Sequence, residues 1–177
     1  MAKVIQPLSI KQVGETYFDL STQRLYAKNM VTSVVNLFLN SGSLNKIYAP
    51  LLTEVPTNAF RNCVALSCTS SNNTIYLPKA TIIHELAFLQ SNAIAYLDLP
   101  SCTQIDAQAF GTGLTTLILR KNQVATLSNV NAFALCPIAT SPTTGFVYVP
   151  DNLVDSYKAA TNWITYASKI KGITELP

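Results

Sequence analysis

The sequence repeats one unusual instruction: begin a strand, break it with proline, and place an Ala-Phe pair so that its Phe falls ten residues later. The clearest copies are IYAPLLTEVPTNAF (47–60), IYLPKATIIHELAF (75–88) and LDLPSCTQIDAQAF (97–110), where Pro50, Pro78 and Pro100 precede Phe60, Phe88 and Phe110. A fourth copy, LILRKNQVATLSNVNAF (117–133), has Arg120 in the proline position and reaches Phe133 three residues late. VYVP, ending at Pro150, starts a fifth strand. The steps from Phe88 to Phe110 and from Phe110 to Phe133 are nearly equal, while the polar insertion SCTSSNNT (67–74) lengthens the step from Phe60 to Phe88. Phe38 lies one such regular step before Phe60, and Leu44 the same distance before Leu66. A degenerate copy, read as starting at YFDL (17–20), is therefore expected ahead of the clear ones.

A period near 22 made of one short strand, a proline turn and a return segment is the mark of a solenoid. One unit cannot bury its own apolar face, so neighbours stack and share a continuous core. Strands of successive coils then pair in a parallel sheet, expected near 46–49, 75–77, 96–99, 116–119 and 146–149. Proline sits where each strand ends, so its missing N–H costs no ladder bond, and its fixed φ bends the chain away. Phe60, Phe88, Phe110 and Phe133 are expected in one buried column, with Val55, Ile83 and Ile105 pointing into the same core.

Composition narrows the function classes. Charged residues make up 12% of the chain, against about 25% in ordinary soluble domains, and Ser, Thr and Asn take their place. The net charge is only +3, and no basic run extends beyond Arg120-Lys121, which argues against nucleic acid and anionic membrane as partners. No apolar run reaches the roughly 18 residues that span a bilayer, so membrane insertion is not expected. The start, MAKVIQPLSI, lacks the apolar core and cleavage site of a signal peptide.

The chemistry-bearing residues are scattered. Cys63, Cys68, Cys102 and Cys136 show no CxxC spacing and share the chain with a single histidine, so neither a metal site nor a cofactor is expected. Cys63 and Cys68 are near enough in sequence to pair; burial as free thiols is the other option and the preferred one. His84 stands beside Glu85, but adjacent side chains diverge, so Glu85 cannot orient it as a base. GTG (111–113) lacks the rest of a dinucleotide fingerprint and reads as a turn between coils. Asp98, Asp106, Asp151 and Asp155 have no calcium-loop spacing. Without a nucleophile–base pair, nothing points to an enzyme or to catalytic residues.

The outward strand positions carry more information, because side chains alternate along a strand. If Ile75 and Leu77 face the core, Tyr76 faces out. The same register sets an outer column of Tyr48, Tyr76, Asp98, Ile118 and Tyr148, and a second of Lys46, Thr74, Tyr96, Thr116 and Phe146. Tyrosine buries area at low entropic cost and keeps a hydroxyl for bonding, which suits recognition of protein or glycan. Tyr48, Tyr76, Tyr96, Asp98 and Tyr148 are thus the candidate binding residues. The competing reading is plain cross-strand stabilisation of the sheet.

The pattern L-x-x-I-x-L-P…T-x-I-x-x-x-A-F-x-x-C, here LNKIYAPLLTEVPTNAFRNC (44–63) and IAYLDLPSCTQIDAQAF (94–110), resembles the BspA-like leucine-rich repeats. The small inward residue of that family after Phe is matched by Cys63 and Cys136, which favours core packing over disulfide or catalysis. The ending VYVPDNLVDSYKAATNWITYASKIKGI (147–173) is similar to the family's C-terminal cap. Here Asn152 and Asp155 suit a capping box, with Leu153, Tyr157 and Ala160 on one apolar face and Trp163, Ala167 and Ile170 on the next.

What these readings imply is a β-rich α/β repeat fold, a short right-handed leucine-rich-repeat-like solenoid with a parallel sheet and a helical C-terminal cap. Residues 1–43 would be an attachment segment or degenerate repeat, 44–149 the repeats, and 150–177 the cap. The resemblance implies a non-catalytic display surface for a protein or surface glycan. It points to bacterial and protozoan surface adhesins and equally to phage and prophage structural proteins. Because Met1 carries no export signal, a virion component making host contact (tail, fibre or head decoration) is the expected setting. Residues 1–43 would attach it to other virion proteins or to copies of itself, which could form a homo-oligomer. A bacterial cell-surface or secreted adhesin is the alternative.

Overall fold

The computed structural model describes residues 3–4, 16–19, 24–27, 30 and 35–177. Strands β1 (Lys3–Val4) and β2 (Thr16–Asp19) run antiparallel and lead into β3 (Arg24–Ala27). Strands of two walls then alternate along the chain: β4 (Lys46–Tyr48), β5 (Glu54–Val55), β6 (Ile75–Tyr76), β7 (Ile82–Ile83), β8 (Tyr96–Leu99), β9 (Gln104–Ile105), β10 (Thr116–Leu119) and β11 (Thr126–Leu127). The remainder holds α1 (Pro137–Thr140), β12 (Phe146–Val149), α2 (Val154–Ala159) and β13 (Ile170–Gly172), joined by short 3-10 turns. Every pairing from β3 onward is parallel, as one strand per coil requires.

Phe38, Phe60, Phe88, Phe110 and Phe133 stack in a single buried column, with ring centroids 5.9, 5.5, 6.3 and 5.6 Å apart. These separations fall in the favourable range for offset rings. Backbone bonds run beside the stack: Phe60 N–H donates to Ala87 O and Phe88 N–H to Ala109 O, both at 2.8 Å. Three residues after Phe60, Phe88 and Phe133, a small donor faces the preceding coil. Cys63 Sγ donates to Phe38 O (3.2 Å), Ser91 Oγ to Phe60 O (2.6 Å) and Cys136 Sγ to Gly111 O (3.2 Å). These donors tie successive coils together, and at Phe38 O the thiol adds to the bond from Ser41 N–H (3.0 Å). All four cysteines are free and buried, and desolvation pushes the thiols of Cys63, Cys102 and Cys136 up to about 12.

The backbone is left-handed two residues before and two after the early phenylalanines. Asn36 and Asn40, Asn58 and Asn62, Leu86 and Gln90, and Gln108 have φ between 49 and 63°. Asparagine tolerates that region because its short polar side chain bonds locally. The GTG run is a close coil-to-coil contact, since a Cβ on Gly113 would lie 2.0 Å from Asn92 O.

The early copy differs from expectation. Its strand is β3, placing Leu25 ahead of Phe38 by the same interval that separates Ile47 from Phe60. The Tyr17–Asp19 part of YFDL instead lies in β2 and pairs antiparallel along β3, covering the first strand edge. Leu20 and most of residues 1–34 lie outside the described residues, as does the attachment role expected of 1–43.

The first wall is also not one sheet. It divides into β1-β2-β3-β4-β6 and β8-β10-β12-β13, while the second wall is continuous as β5-β7-β9-β11. The insertion is the cause. Cys68 takes the ladder position beside Ile94, and its carbonyl accepts from Ala95 N (2.9 Å) and Tyr96 N (3.1 Å). The chain then loops out through Asn73 before β6 begins, so β6 pairs with β4 alone. A cleft of about 100 Å³, lined by Tyr76, Pro78, Asp98 and Pro100, marks the break.

At the C-terminal end the last coil has no successor, and cap side chains satisfy its open edge. Tyr157 Oη accepts from Ala125 N (2.9 Å), Trp163 Nε1 donates to Ala125 O (2.7 Å), and Asn162 Nδ2 donates to Leu127 O (2.7 Å). Tyr166 Oη donates to Val130 O. Trp163 and Tyr166 also close the aromatic column against Phe133. The expected Asn152–Asp155 capping box does not form. A 3-10 turn at Asp151–Leu153 draws Asn152 into the helical run, where its Nδ2 donates to Asn122 Oδ1 (3.2 Å), and α2 begins without a side-chain cap.

Candidate binding face

Alternation along β3, β4 and β6 turns Leu25, Ile47 and Ile75 into the core and leaves two rows on the outer face. One row is Tyr26, Tyr48 and Tyr76; the other, two residues earlier, is Arg24, Lys46 and Thr74. Tyr48 and Tyr76 stack at 5.3 Å with planes 12° apart, and Tyr26 lies 6.4 Å from Tyr48. Tyr76, at 46% exposure, is the most open of the three. Beside the cationic row lies a concavity of about 290 Å³, lined by Arg24, Asn45, Lys46, Ser67, Asn72 and Thr74 among others. The insertion supplies Ser67, Asn72 and Thr74, so the loop that breaks the wall also builds this hollow.

The expected column does not continue as an open face. Asp98, Ile118 and Tyr148 do align in register, as do Tyr96, Thr116 and Phe146. Tyr148, however, is only 5% exposed, and Ile118 is buried. The turn Ile173–Glu175 packs on β12, and burial first, with nearby Glu175 second, pushes the Tyr148 phenol up. Tyr148 is therefore withdrawn from the set of open binding residues. Asp98 is engaged by Arg120, whose Nε reaches both carboxylate oxygens (2.9 and 3.0 Å) and whose Nη2 donates at 2.7 Å. Arg120, the residue in the proline position, thus pins its neighbour coil. Tyr96 is half-buried near this pair, its phenol pushed up by burial and by Asp98. Tyr48 and Tyr76 come together; Tyr96 and Asp98 lie across the sheet break from them.

Tyr26 and Arg24 were not among the sequence candidates. Their signal was the period itself: Tyr26 precedes Tyr48, and Arg24 precedes Lys46, by the same step that separates Phe38 from Phe60. Placing the early strand at YFDL hid them.

On the second wall, His84 is held between coils. Its Nε2 is 3.0 Å from Glu54 Oε2 and its Nδ1 is 3.1 Å from Asp106 Oδ2. Burial alone would raise the Asp106 carboxyl. Hydrogen bonds from Ser128, Gln104 and His84, with the His84 charge, outweigh it and hold the carboxyl below its usual range. The order His–Asp–Ser puts the carboxylate in the middle, whereas a hydrolase triad needs the histidine there. Among the described residues no group of three His, Cys, Asp or Glu side chains could hold a metal ion. This cluster is a polar ladder binding three coils.

Among the described residues no helix is long and apolar enough to cross a membrane. A family model described as "BspA type Leucine rich repeat region (6 copies)" matches residues 1–67 and 35–147. No curated protein matches the chain. Among solved structures, the pneumococcal vaccine antigen PcpA is similar, with a TM-score of 0.47 and 15% identity over 89% of this chain. The match spans 44% of the PcpA chain.

Proposed function

The chain belongs to the BspA-type leucine-rich repeat family, and on that premise we propose that it is a non-catalytic recognition module whose β3-β4-β6 face meets a surface glycan or protein. The observation that carries this reading is the outward row of Tyr26, Tyr48 and Tyr76. Three aromatic rings side by side on an outer sheet face present broad, rigid, amphipathic area at small entropic cost. Cross-strand stabilisation alone does not call for the open tyrosine at position 76, which gives up burial. Of the two settings that the family suggests, an adhesin-type cell-surface role fits better than a virion component. The repeats alone point equally to both, and nothing in the fold or the comparisons favours a phage origin.

The test is binding of the chain to an array of immobilised glycans and glycoproteins, alongside a Tyr48→Ala, Tyr76→Ala double variant. Both side chains face outward, so the variant should stay folded, with its unfolding midpoint lowered by the loss of two ring contacts. Saturable binding by the parent and its loss in the folded variant supports the face. Equal binding by both would reduce the tyrosines to sheet packing.

A further inference from the structure

We infer that the concavity beside the tyrosine row is a subsite for the carboxylate of an acidic saccharide. This rests on the reading of the β3-β4-β6 face as a recognition surface and names its ligand class. Arg24 and Lys46 are direct partners on adjacent parallel strands. Paired strands lie about 4.8 Å apart, and like charges set directly opposite destabilise a sheet. The residues lining the hollow include no acidic side chain to relieve that repulsion. Asp19 is the partner of Arg24 on β2, which leaves Lys46, set between Arg24 and Thr74 in the row, without an acidic cross-strand partner. A bound anion would relieve it, and the Arg guanidinium offers the planar fork that matches a carboxylate.

The remaining lining identifies what carries the anion. Asn45, Ser67 and Asn72 bring amides and a hydroxyl to the hollow. These donors and acceptors suit ring hydroxyls, while a peptide side chain would ask for apolar lining at the interface centre. At about 290 Å³ the hollow stands at the small end of ligand sites, sized for one group rather than a large ligand. The tyrosine row lies two residues further along the same strands, roughly 6.6 Å away on the same face. A saccharide chain crossing the strands' outer face would place its carboxylate between Arg24 and Lys46 and an adjoining ring against Tyr48 and Tyr76.

The experiment titrates an oligogalacturonate and its fully methyl-esterified form, which differ in charge, into the full chain by calorimetry. Sialyllactose and oligohyaluronate serve as further acidic probes. At least one acid should bind saturably, about tenfold or more tighter than a neutral counterpart and more weakly as salt rises. Lys46→Gln and Arg24→Gln, each replacing an outward side chain and removing one of two facing like charges, should abolish that preference without lowering the unfolding midpoint. Acid and ester binding equally, or charge variants binding like the parent, overturns the carboxylate subsite. If that equal binding is lost in the Tyr48→Ala, Tyr76→Ala variant, the recognition face stands without the subsite. If none of the three acids binds, the subsite is refuted, and the glycan and glycoprotein array decides the face alone.

Discussion

Truncating Phe88 to Ala tests the stacked column at its centre. Phe88 is 1% exposed and sits between Phe60 and Phe110, 5.5 and 6.3 Å away. Removing its burial costs up to about 3 kcal/mol. Each lost ring pair adds about 1 kcal/mol, which brings the total near the top of the roughly 3–5 kcal/mol seen for buried Phe to Ala. The cavity should persist, because the rings on both sides are held by backbone bonds between coils that a side-chain deletion leaves in place. Urea unfolding followed by the fluorescence of Trp163, the single tryptophan, reads the effect from the capped end, 5.8 Å from Phe133. Far-UV circular dichroism reads all coils together, and in a nearest-neighbour solenoid a weak central interface should separate the two transitions. Val64→Ala, at a residue 57% exposed, is the control and should change stability by no more than about 0.5 kcal/mol. A loss below about 1.5 kcal/mol for Phe88→Ala would refute a column packed to this degree.

Leu86 holds a φ of 61°, a conformation that costs a branched side chain about 1–2 kcal/mol, so Leu86→Asn should raise the denaturation midpoint. A lowered midpoint would show that Leu86 packing outweighs its strain. Cys63, Cys102 and Cys136, with thiols pushed up to about 12, should resist alkylation in the native chain at mildly alkaline pH and react in urea, as mass spectrometry can count. Native labelling at free-thiol rates would contradict their burial. Asp106 has a folded-state pKa below its unfolded one, so its contribution is present above the usual carboxylate range and is lost as pH falls through the lowered value. Asp106→Asn should therefore flatten the acid limb of stability against pH, and an unchanged limb would remove Asp106 from that account. Tyr157→Phe leaves Ala125 N–H without its cap partner and should cost about 1–3 kcal/mol in urea unfolding; a neutral variant would mean that bond matters little.

The repeat was legible because its physics is local and periodic. A strand broken by proline and an aromatic at a fixed interval give position after position the same environment, so the Phe column and the five main strands could be placed from spacing. The interactions between coils were less legible. Glu54, His84 and Asp106 are far apart in sequence, and only the register that aligns β5, β7 and β9 makes them neighbours. The left-handed turns were written as asparagines two residues either side of Phe38 and Phe60, but Leu86 breaks that code and obscures it. The failed capping box was a competition between local options, in which a 3-10 turn and the side chain of Asn122 drew Asn152 away from the helix start.

The insertion at 67–74 links the fold to the candidate site. In sequence it is an interruption that lengthens the step from Phe60 to Phe88 beyond the common period. In the fold, its first part keeps the ladder by lending Cys68 to the next coil, which frees the rest to bulge out beside β4. Two consequences follow from that one displacement. The wall divides after Tyr76, so the tyrosine row ends at an exposed ring instead of running on into the buried half of the wall. Ser67, Asn72 and Thr74 are carried next to Arg24 and Lys46, giving those cations a polar enclosure. Deleting residues 69–72 would leave Cys68 in the ladder with two residues between it and Ile75, the spacing that separates Ile94 from Leu97. A deletion that still folds, with β6 and β8 rejoined, should lose the acidic-saccharide preference while the Phe column survives. Retained preference would place the anion site elsewhere on the molecule.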